Sequence, residues 1–230
     1  MINKKKLVVL TGAGMSQESG IKTFRESNGL WEEHDVNEVA TPQGWQKNPE
    51  LVMRFYNARR KELYESNPNT GHIGLSKLEE LFDITIITQN IDDLHERAGS
   101  TKVLHLHGEL KKSRSSTDEN LVYDIDGWEL KMGQLCEKGS QLRPHIVWFG
   151  EAVPAIDEAL PFVQNADFFV VIGTSLNVYP AAGLLNYVKK DVPIFLIDPN
   201  PVTVYTNVTY INEKAGKGIE TLTSLLKKKS

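Results

Sequence analysis

Short, nearly continuous apolar runs are the feature that most constrains how this chain can fold. They fall at Leu7–Leu10, Ile84–Thr88, Val103–Leu106, His145–Trp148, Phe168–Ile172, Ile194–Ile197 and Val208–Ile211. A strand with one face in water alternates apolar and polar residues; a continuous run is the mark of a strand covered on both faces. Between several of these runs the apolar residues take helical spacing instead: Pro49 to about Ser66, Thr70 to Leu81 with Thr70 as a cap candidate, Pro180–Lys190 and Gly218–Lys227. Strands alternating with helices predict an α/β fold, a doubly wound, mainly parallel Rossmann-like sheet.

Two segments break this alternation. Glu26 to about Leu81 carries no strand pattern, and Leu110–Arg143 is polar without sustained periodicity. Each leaves from the end of a strand-like run. The expected organisation is therefore a Rossmann-like domain of residues 1–25, 82–109 and 144–230, with a smaller inserted domain of residues 26–81 and 110–143.

Composition narrows the class of protein. The net charge of −4 argues against a surface that coats nucleic acid. Only four strongly apolar residues come after Lys4-Lys5-Lys6, too few for a signal-peptide core, and no run approaches a membrane span. A single cysteine, Cys136, allows no intramolecular disulfide. The expectation is a soluble cytoplasmic protein with no membrane or nucleic-acid partner.

The residues just past each run carry the chemistry, because open α/β sheets bind ligands at the carboxyl ends of their strands. After Leu10 comes Thr11-Gly12-Ala13-Gly14, then Ser16, Gly20 and the pair Phe24-Arg25. A glycine turn lets backbone N–H groups approach an anion, and a helix starting just beyond would add its dipole. The stretch is not G-x-G-x-x-G, since Gln17 holds the third glycine position, and it lacks the Gly-Lys-Ser/Thr of a P-loop. A phosphate cradle and a structural turn both remain open. After Thr88, residues Gln89, Asn90, Asp92 and Asp93 offer amides and carboxylates to a polar ligand, or else cap a helix. In Val103–Gly108, strand alternation places His105 and His107 on one face, with His107 at the rim as a general-base candidate. His105 reads as a hydrogen-bonded core histidine. A metal pair would need carboxylate or cysteine partners that the neighbourhood lacks. Gly173-Thr174-Ser175 and Asp198-Pro199-Asn200 complete the set of polar strand ends.

Taken in order, GAGMS…SGIKTFR, TQNID, HLHG, VWFGE, GTS and DPNP resemble the sirtuins, the NAD-dependent protein-lysine deacylases, over Thr11 to about Ala215. The resemblance implies that Gly12, Ala13, Gly14, Ser16, Gly20, Phe24 and Arg25 belong to an NAD loop. Gln89, Asn90 and Asp92 would hold the nicotinamide ribose and carboxamide. Gly173, Thr174, Ser175 and Asn200 would bind the adenosine half, with Ala215 near the adenine. His107 matches the general base. Val147, Phe149 and Gly150 lie in the segment along which a substrate peptide adds as a strand. In that family the acyl-lysine oxygen attacks the ribose carbon as nicotinamide leaves. The histidine then deprotonates a ribose hydroxyl, and the products are free lysine and an O-acyl-ADP-ribose. Phe24 would shield the reacting face. The cofactor expected is NAD, the partner an acylated lysine peptide, and the state a monomer. An ADP-ribosyltransferase or NAD glycohydrolase using the same cleft is the competing activity, and a catalytically dead binding module is a third.

Two details depart from the commonest sirtuin pattern. Where four cysteines usually hold a structural zinc, this chain aligns Ser115, Asp118, Cys136 and Gly139. One thiolate and one carboxylate do not close a tetrahedral site, so no zinc is expected. Packing by Leu121, Tyr123, Ile125, Trp128 and Leu130 is expected to hold the segment instead. Tyr56-x-x-Arg59 matches the pattern of sirtuins that accept acidic acyl chains, and positions i and i+3 share a helix face. Succinyl- or malonyl-lysine, alongside acetyl-lysine, is the implied substrate. Without the resemblance, Arg59, Arg60 and Lys61 would read as an exposed, solvated face.

Overall fold

In the computed structural model, residues 4–22, 30–31, 34–200 and 208–228 of the chain are described. Strand β1 (Lys6–Thr11) leads into the glycine turn. A two-residue pair, β2 (Leu30–Trp31) and β3 (His34–Asp35), precedes four helices: α1 (Val36–Val39), α2 (Pro42–Lys47), α3 (Pro49–Glu65) and α4 (Thr70–Leu78). Then come β4 (Asp83–Thr88), α5 (Leu94–Arg97), β5 (Val103–His105), β6 (Gly108–Ser115), β7 (Val122–Asp124) and β8 (Leu142–Ile146). Helix α6 (Ala155–Gln164), β9 (Phe168–Ile172), a 3₁₀ segment at Ala181–Tyr187, β10 (Ile194–Ile197), β11 (Thr209–Ile211) and α7 (Ala215–Lys227) complete it.

Six strands form one parallel sheet in the order β11-β10-β9-β1-β4-β5. Numbered by sequence within the sheet, that is the doubly wound order 3-2-1-4-5-6 read from the other edge. The chain leaves β1 in one direction and returns on its other side at β9, so a crevice opens at the carboxyl end of β1. Both sheet faces are buried, as the continuous runs predict. Leu7, Val9, Ile86 and Val170 face α4 and α7 through Leu75, Leu78, Ile219 and Leu222. Val8, Leu10, Phe169 and Val171 face α6 and the 3₁₀ segment through Val163 and Leu184.

The second part of the molecule is a three-stranded antiparallel sheet, β7-β6-β8, packed with the α1–α3 region around Val52, Phe55, Tyr56, Leu110, Ile146 and Trp148. Here the structure departs from the sequence reading. Leu110–Arg143 does contain strands; the buried positions of β6 beyond Leu110 are Ser113 and Ser115, so its alternation is carried by serines and interrupted by a register shift. The strand expected at His145–Trp148 is instead Leu142–Ile146, antiparallel to β6, and the boundary expected at residue 143 falls inside it. Its ladder ends where Glu151 captures the Trp148 N–H at 2.8 Å and the chain turns. The strandless stretch before Leu81 holds the β2–β3 pair, whose two-residue strands are too short to show a period. Helix α6 carries Pro161 inside it, which hides it from the periodicity, and Pro180–Lys190 forms a 3₁₀ segment at its centre rather than an α-helix. Asn69, not Thr70, caps α4, through a reciprocal capping box with His72.

Candidate active site

The floor of the crevice is built by two threonines at strand ends. Thr11 Oγ1 donates to Thr88 Oγ1 at 2.8 Å, and Thr88 Oγ1 also accepts the Asn90 N–H at 3.0 Å. Gln89 N–H reaches back to the Thr11 carbonyl at 2.9 Å. Together these bonds turn residues 89–92 across the end of the sheet. Asn90 Nδ2 then donates to Ser16 Oγ at 3.0 Å, and Ser16 Oγ donates to Asp92 Oδ2 at 2.9 Å. Burial pushes the Asp92 carboxyl pKa up, against the pull of the Ser16 and Leu94 hydrogen bonds. This oriented chain commits the Asn90 amide nitrogen and turns its carbonyl oxygen into the open acceptor of the group.

The glycine turn does not open an α-helix. It runs into two 3₁₀ turns, Ala13–Met15 and Gln17–Ser19, ending at Gly20 in the left-handed region. Asn69 Nδ2 donates to Met15 O and Ser19 Oγ, and Glu18 accepts the Gly216 N–H, so the loop is tied to α4 and α7 instead of continuing as a helix. The glycines admit protein backbone. Gly173 has φ of +62°, and a Cβ there would lie 2.4 Å from Met15 N; one on Gly14 would lie 2.7 Å from Gly173 Cα. Gly14 N–H donates to Gly173 O at 2.8 Å, which locks the loop to the end of β9. Gln89 Nε2 joins them by donating to Thr174 Oγ1 at 3.2 Å.

His107 sits at the rim with Nδ1 donating to the Gln89 carbonyl at 3.0 Å. That bond fixes the tautomer and leaves Nε2 as a lone-pair acceptor. Burial lowers its pKa, so the ring is neutral at pH 7. His105 turns toward the same loop, as strand alternation predicts, with Nδ1 on Asn90 O and Nε2 on Glu96 at 2.8 Å. Burial alone would lower its pKa; the hydrogen bond and charge of Glu96 outweigh it and raise the value.

The opposite wall comes from α3 and the segment after β8. Tyr56 is fully buried and Arg59 only 7% exposed, so Arg59 is no solvated side chain. Arg60 is fully buried as well, its Nε donating to Leu110 O at 2.6 Å. Trp148 Nε1 donates to the Tyr56 hydroxyl at 3.1 Å. Val147 N–H donates to His107 O at 2.9 Å, and Phe149, 45% exposed, is anchored by its N–H on Ala40 O.

One cleft of about 280 Å³ gathers Gly12, Ala13, Ser16, Tyr56, Arg59, Gln89, Asn90, Asp92, His107, Val147, Phe149, Gly150, Gly173, Thr174 and Ser175. Gly14, Gly20, Asn200 and Ala215 do not line it. Ala215 opens α7 and is buried, and Asn200 N–H donates to Asp198. Phe24 and Arg25 lie outside the described residues. Sequence reasoning gives Thr11 and Thr88 no role of their own, although two threonines closing adjacent apolar runs are a signal. It places Trp148 only within the VWFGE substrate segment, and nothing in it pairs the indole with Tyr56, 92 residues away. Further out, Cys136 donates to Ser115 Oγ at 3.5 Å and Lys138 pairs with Asp118 at 2.7 Å. Among the described residues no group of three or more His, Cys, Asp or Glu could hold a metal ion. Leu130 packs there as expected, whereas Trp128 is 41% exposed and takes the Lys61 ammonium over its ring.

A Sir2 family model matches residues 12–180. The chain is 55% identical over 229 residues to an NAD-dependent protein deacylase of Bacteroides thetaiotaomicron, covering 96% of this chain and 98% of that one. It is 54% identical over 222 residues to an NAD-dependent protein deacylase of Helicobacter pylori, covering 95% and 96%. The crystal structure of a Sir2 homolog–NAD complex has a TM-score of 0.88 with this fold at 39% identity, covering 98% of this chain and 90% of the other. The matched residues include the glycine turn, the Asn90 loop, His107 and the 147–151 segment, and the fold agrees along nearly the whole length: the chain belongs to the Sir2 family.

Proposed function

We propose that this chain is an NAD-dependent protein-lysine deacylase that removes acetyl, succinyl or malonyl groups and yields nicotinamide and an O-acyl-ADP-ribose. The observation that carries the proposal is one cleft containing an oriented neutral histidine, the Asn90–Ser16–Asp92 chain and a buried Tyr56–Arg59 pair. The donor set suits NAD: a loop with glycines and small hydroxyls for phosphate and ribose, and amides at Gln89 and Asn90 for a carboxamide. Bound NAD would supply an electrophilic ribose carbon and nicotinamide as its leaving group.

The chain's own residues then divide the work. Gly12, Ala13 and Ser16 line the cleft on the loop side, where they would face the cofactor; the resemblance to the family assigns Gly14, Gly20, Phe24 and Arg25 to the same NAD loop. Gly173, Thr174, Ser175, Asn200 and Ala215 take its adenosine half. Asn90 and Asp92 orient the ribose, and His107 Nε2 accepts a proton from a hydroxyl in the cleft. Val147, Phe149 and Gly150 pair with the substrate backbone, and Tyr56 with Arg59 receives an acidic acyl end. The proposed state is a cytoplasmic monomer acting between a nucleotide-binding part and an inserted part. No helix among the described residues is long and apolar enough to cross a membrane.

The zinc of the wider family does not fit the four residues at its place. Ser115 and Gly139 offer no thiolate, and the Asp118 carboxylate is held by the Lys138 ammonium. The proposed enzyme carries no zinc.

Nicotinamide release, measured with and without acetylated and succinylated peptides, tests the activity. The expected result is release that depends strictly on an acylated peptide. Equal release without peptide would replace deacylation by NAD glycohydrolysis.

A further inference from the structure

Tyr56 and Arg59 are the groups that the proposed acyl preference invokes, but the direction of the Tyr56 hydroxyl is set by a third residue. Trp148 Nε1–H can only donate, so in its 3.1 Å contact the phenol oxygen must be the acceptor. The phenol has a single proton, and that proton cannot point at the indole. Its donation is confined to the other side of the oxygen. Both partners are buried, Trp148 at 2% exposure and Tyr56 at 0%, so water does not scramble this arrangement. Burial also raises the phenol pKa, which keeps the proton in place at any physiological pH.

The indole itself is held with unusual redundancy. The Arg143 guanidinium lies 3.3 Å from the centroid of the Trp148 ring. Arg143 is in turn fixed by Glu151 at 2.8 and 3.0 Å and by Ile146 O at 2.8 Å. Glu151 also takes the backbone N–H of Trp148 at 2.8 Å and the Arg114 guanidinium at 3.1 Å. Trp45 covers the indole from a centroid distance of 5.8 Å. An ordinary core tryptophan needs only the packing; here a charged cluster fixes the ring and its backbone together.

We infer that Trp148 is a specificity-determining positioning residue, which, by donating to the Tyr56 hydroxyl, aims that hydroxyl's own proton at an anionic acyl terminus held beside Arg59. The inference rests on the acyl-carboxylate reading of Tyr56 and Arg59. It differs from that reading in assigning selectivity to a residue whose own polar group is already committed to Tyr56.

The test compares kcat/KM for succinyl- and acetyl-lysine peptides of one sequence in wild type, Trp148→Phe, Tyr56→Phe, the double variant and Arg59→Met. Trp148→Phe keeps a ring under Arg143 and removes only the donor and some packing. It is expected to lower the succinyl-to-acetyl ratio by about tenfold, the worth of one hydrogen bond to a charged group, chiefly through KM for the succinyl peptide. Tyr56→Phe is expected to lower the ratio similarly, and the double variant no further, because both changes act through one hydroxyl. An unchanged ratio in Trp148→Phe, or additive losses in the double variant, overturns the inference. If Arg59→Met lowers the ratio while Trp148→Phe does not, the carboxylate reading stands and this inference fails. If Trp148→Phe lowers it while Arg59→Met does not, the placement of the acyl terminus beside Arg59 fails, and the inference as stated is overturned with it. A measurement on the native ring guards against a misfolded Trp148→Phe. The Trp148 indole N–H resonance is expected to move in Tyr56→Phe and to respond more to a succinyl than to an acetyl peptide. An indifferent resonance would refute the link.

Discussion

At the scale of single residues, His107 owes its assigned role to one neighbour and to its burial. The Gln89 carbonyl holds Nδ1–H, and burial disfavours the imidazolium. A base must be unprotonated to act. Because the pKa is lowered, the protonated fraction grows only below the ordinary histidine range near 6.5. The acid limb of the pH profile of kcat/KM is therefore expected below pH 6.5. His107→Ala is expected to reduce turnover by roughly 10²–10⁴-fold, the usual worth of a positioned general base, and to abolish that limb. A limb that persists in the variant would mean another group titrates. His107 is legible in the sequence because a histidine closes an apolar run beside a glycine. Its tautomer is not, because the partner is a backbone carbonyl 18 residues away along the chain. The same holds for Arg60, whose burial among the backbone oxygens of Leu110 and Trp128 no local pattern announces.

At the scale of elements, what sequence shows is apolar periodicity, and what it hides is structure made by polar side chains. β1, β4, β9 and β10 bury both faces and are legible to within a residue or so of their ends. β6 is hidden because Ser113 and Ser115 occupy its buried face. Those serines have a consequence for the turns at residues 115–118 and 136–140. Ser115 Oγ accepts from Cys136 Sγ and from the N–H groups of Thr117 and Asp118, and Thr117 Oγ1 is bonded to Ser140 Oγ. Asp118 and Lys138 then close the two turns with an ion pair. Hydrogen bonds among neutral hydroxyls owe nothing to a metal. Prolonged dialysis against a strong chelator is therefore expected to leave both the melting temperature and the succinyl-to-acetyl ratio unchanged, with zinc far below one per chain by elemental analysis. A drop in melting temperature reversed by zinc would overturn the metal-free assignment. The ion pair is solvent-exposed and screened, so high salt is expected to matter little to this element as well.

At the scale of the whole molecule, the α/β class is readable from the runs alone, but the order in which strands add to the sheet is not. That order is fixed by the packing of α4 and α7 on one face and α6 on the other, a matter of partners far apart in sequence. At the junction of β1, α4 and α5 lies a feature with a global effect: His72 and His95, both fully buried, with ring centroids 4.8 Å apart. Burial lowers the pKa of His72 to about 4, against a small opposing pull from Glu96, and lowers that of His95 in the same direction. The unfolded chain titrates both near 6.5, so below that pH it binds protons that the folded state refuses, and stability falls with pH. For His72 alone the loss is about 2 kcal/mol at pH 5. His105 has the opposite sign, but its raised pKa makes its contribution complete once the pH is below 6.5. Glu96 and Glu151, with lowered values, lose their stabilisation only below the ordinary carboxylate range. Asp92 opposes the trend by taking its proton early in the folded state, and does so equally in any histidine variant. Denaturant melts at pH 7 and pH 5 for wild type and His72→Asn separate these contributions. The stability lost between the two pH values is expected to be smaller in His72→Asn by about 2 kcal/mol, although the variant starts less stable at pH 7 because its capping box is gone. Equal pH losses in the two proteins would show that His72 is not held neutral by burial, and that acid sensitivity between pH 6.5 and 5 arises elsewhere.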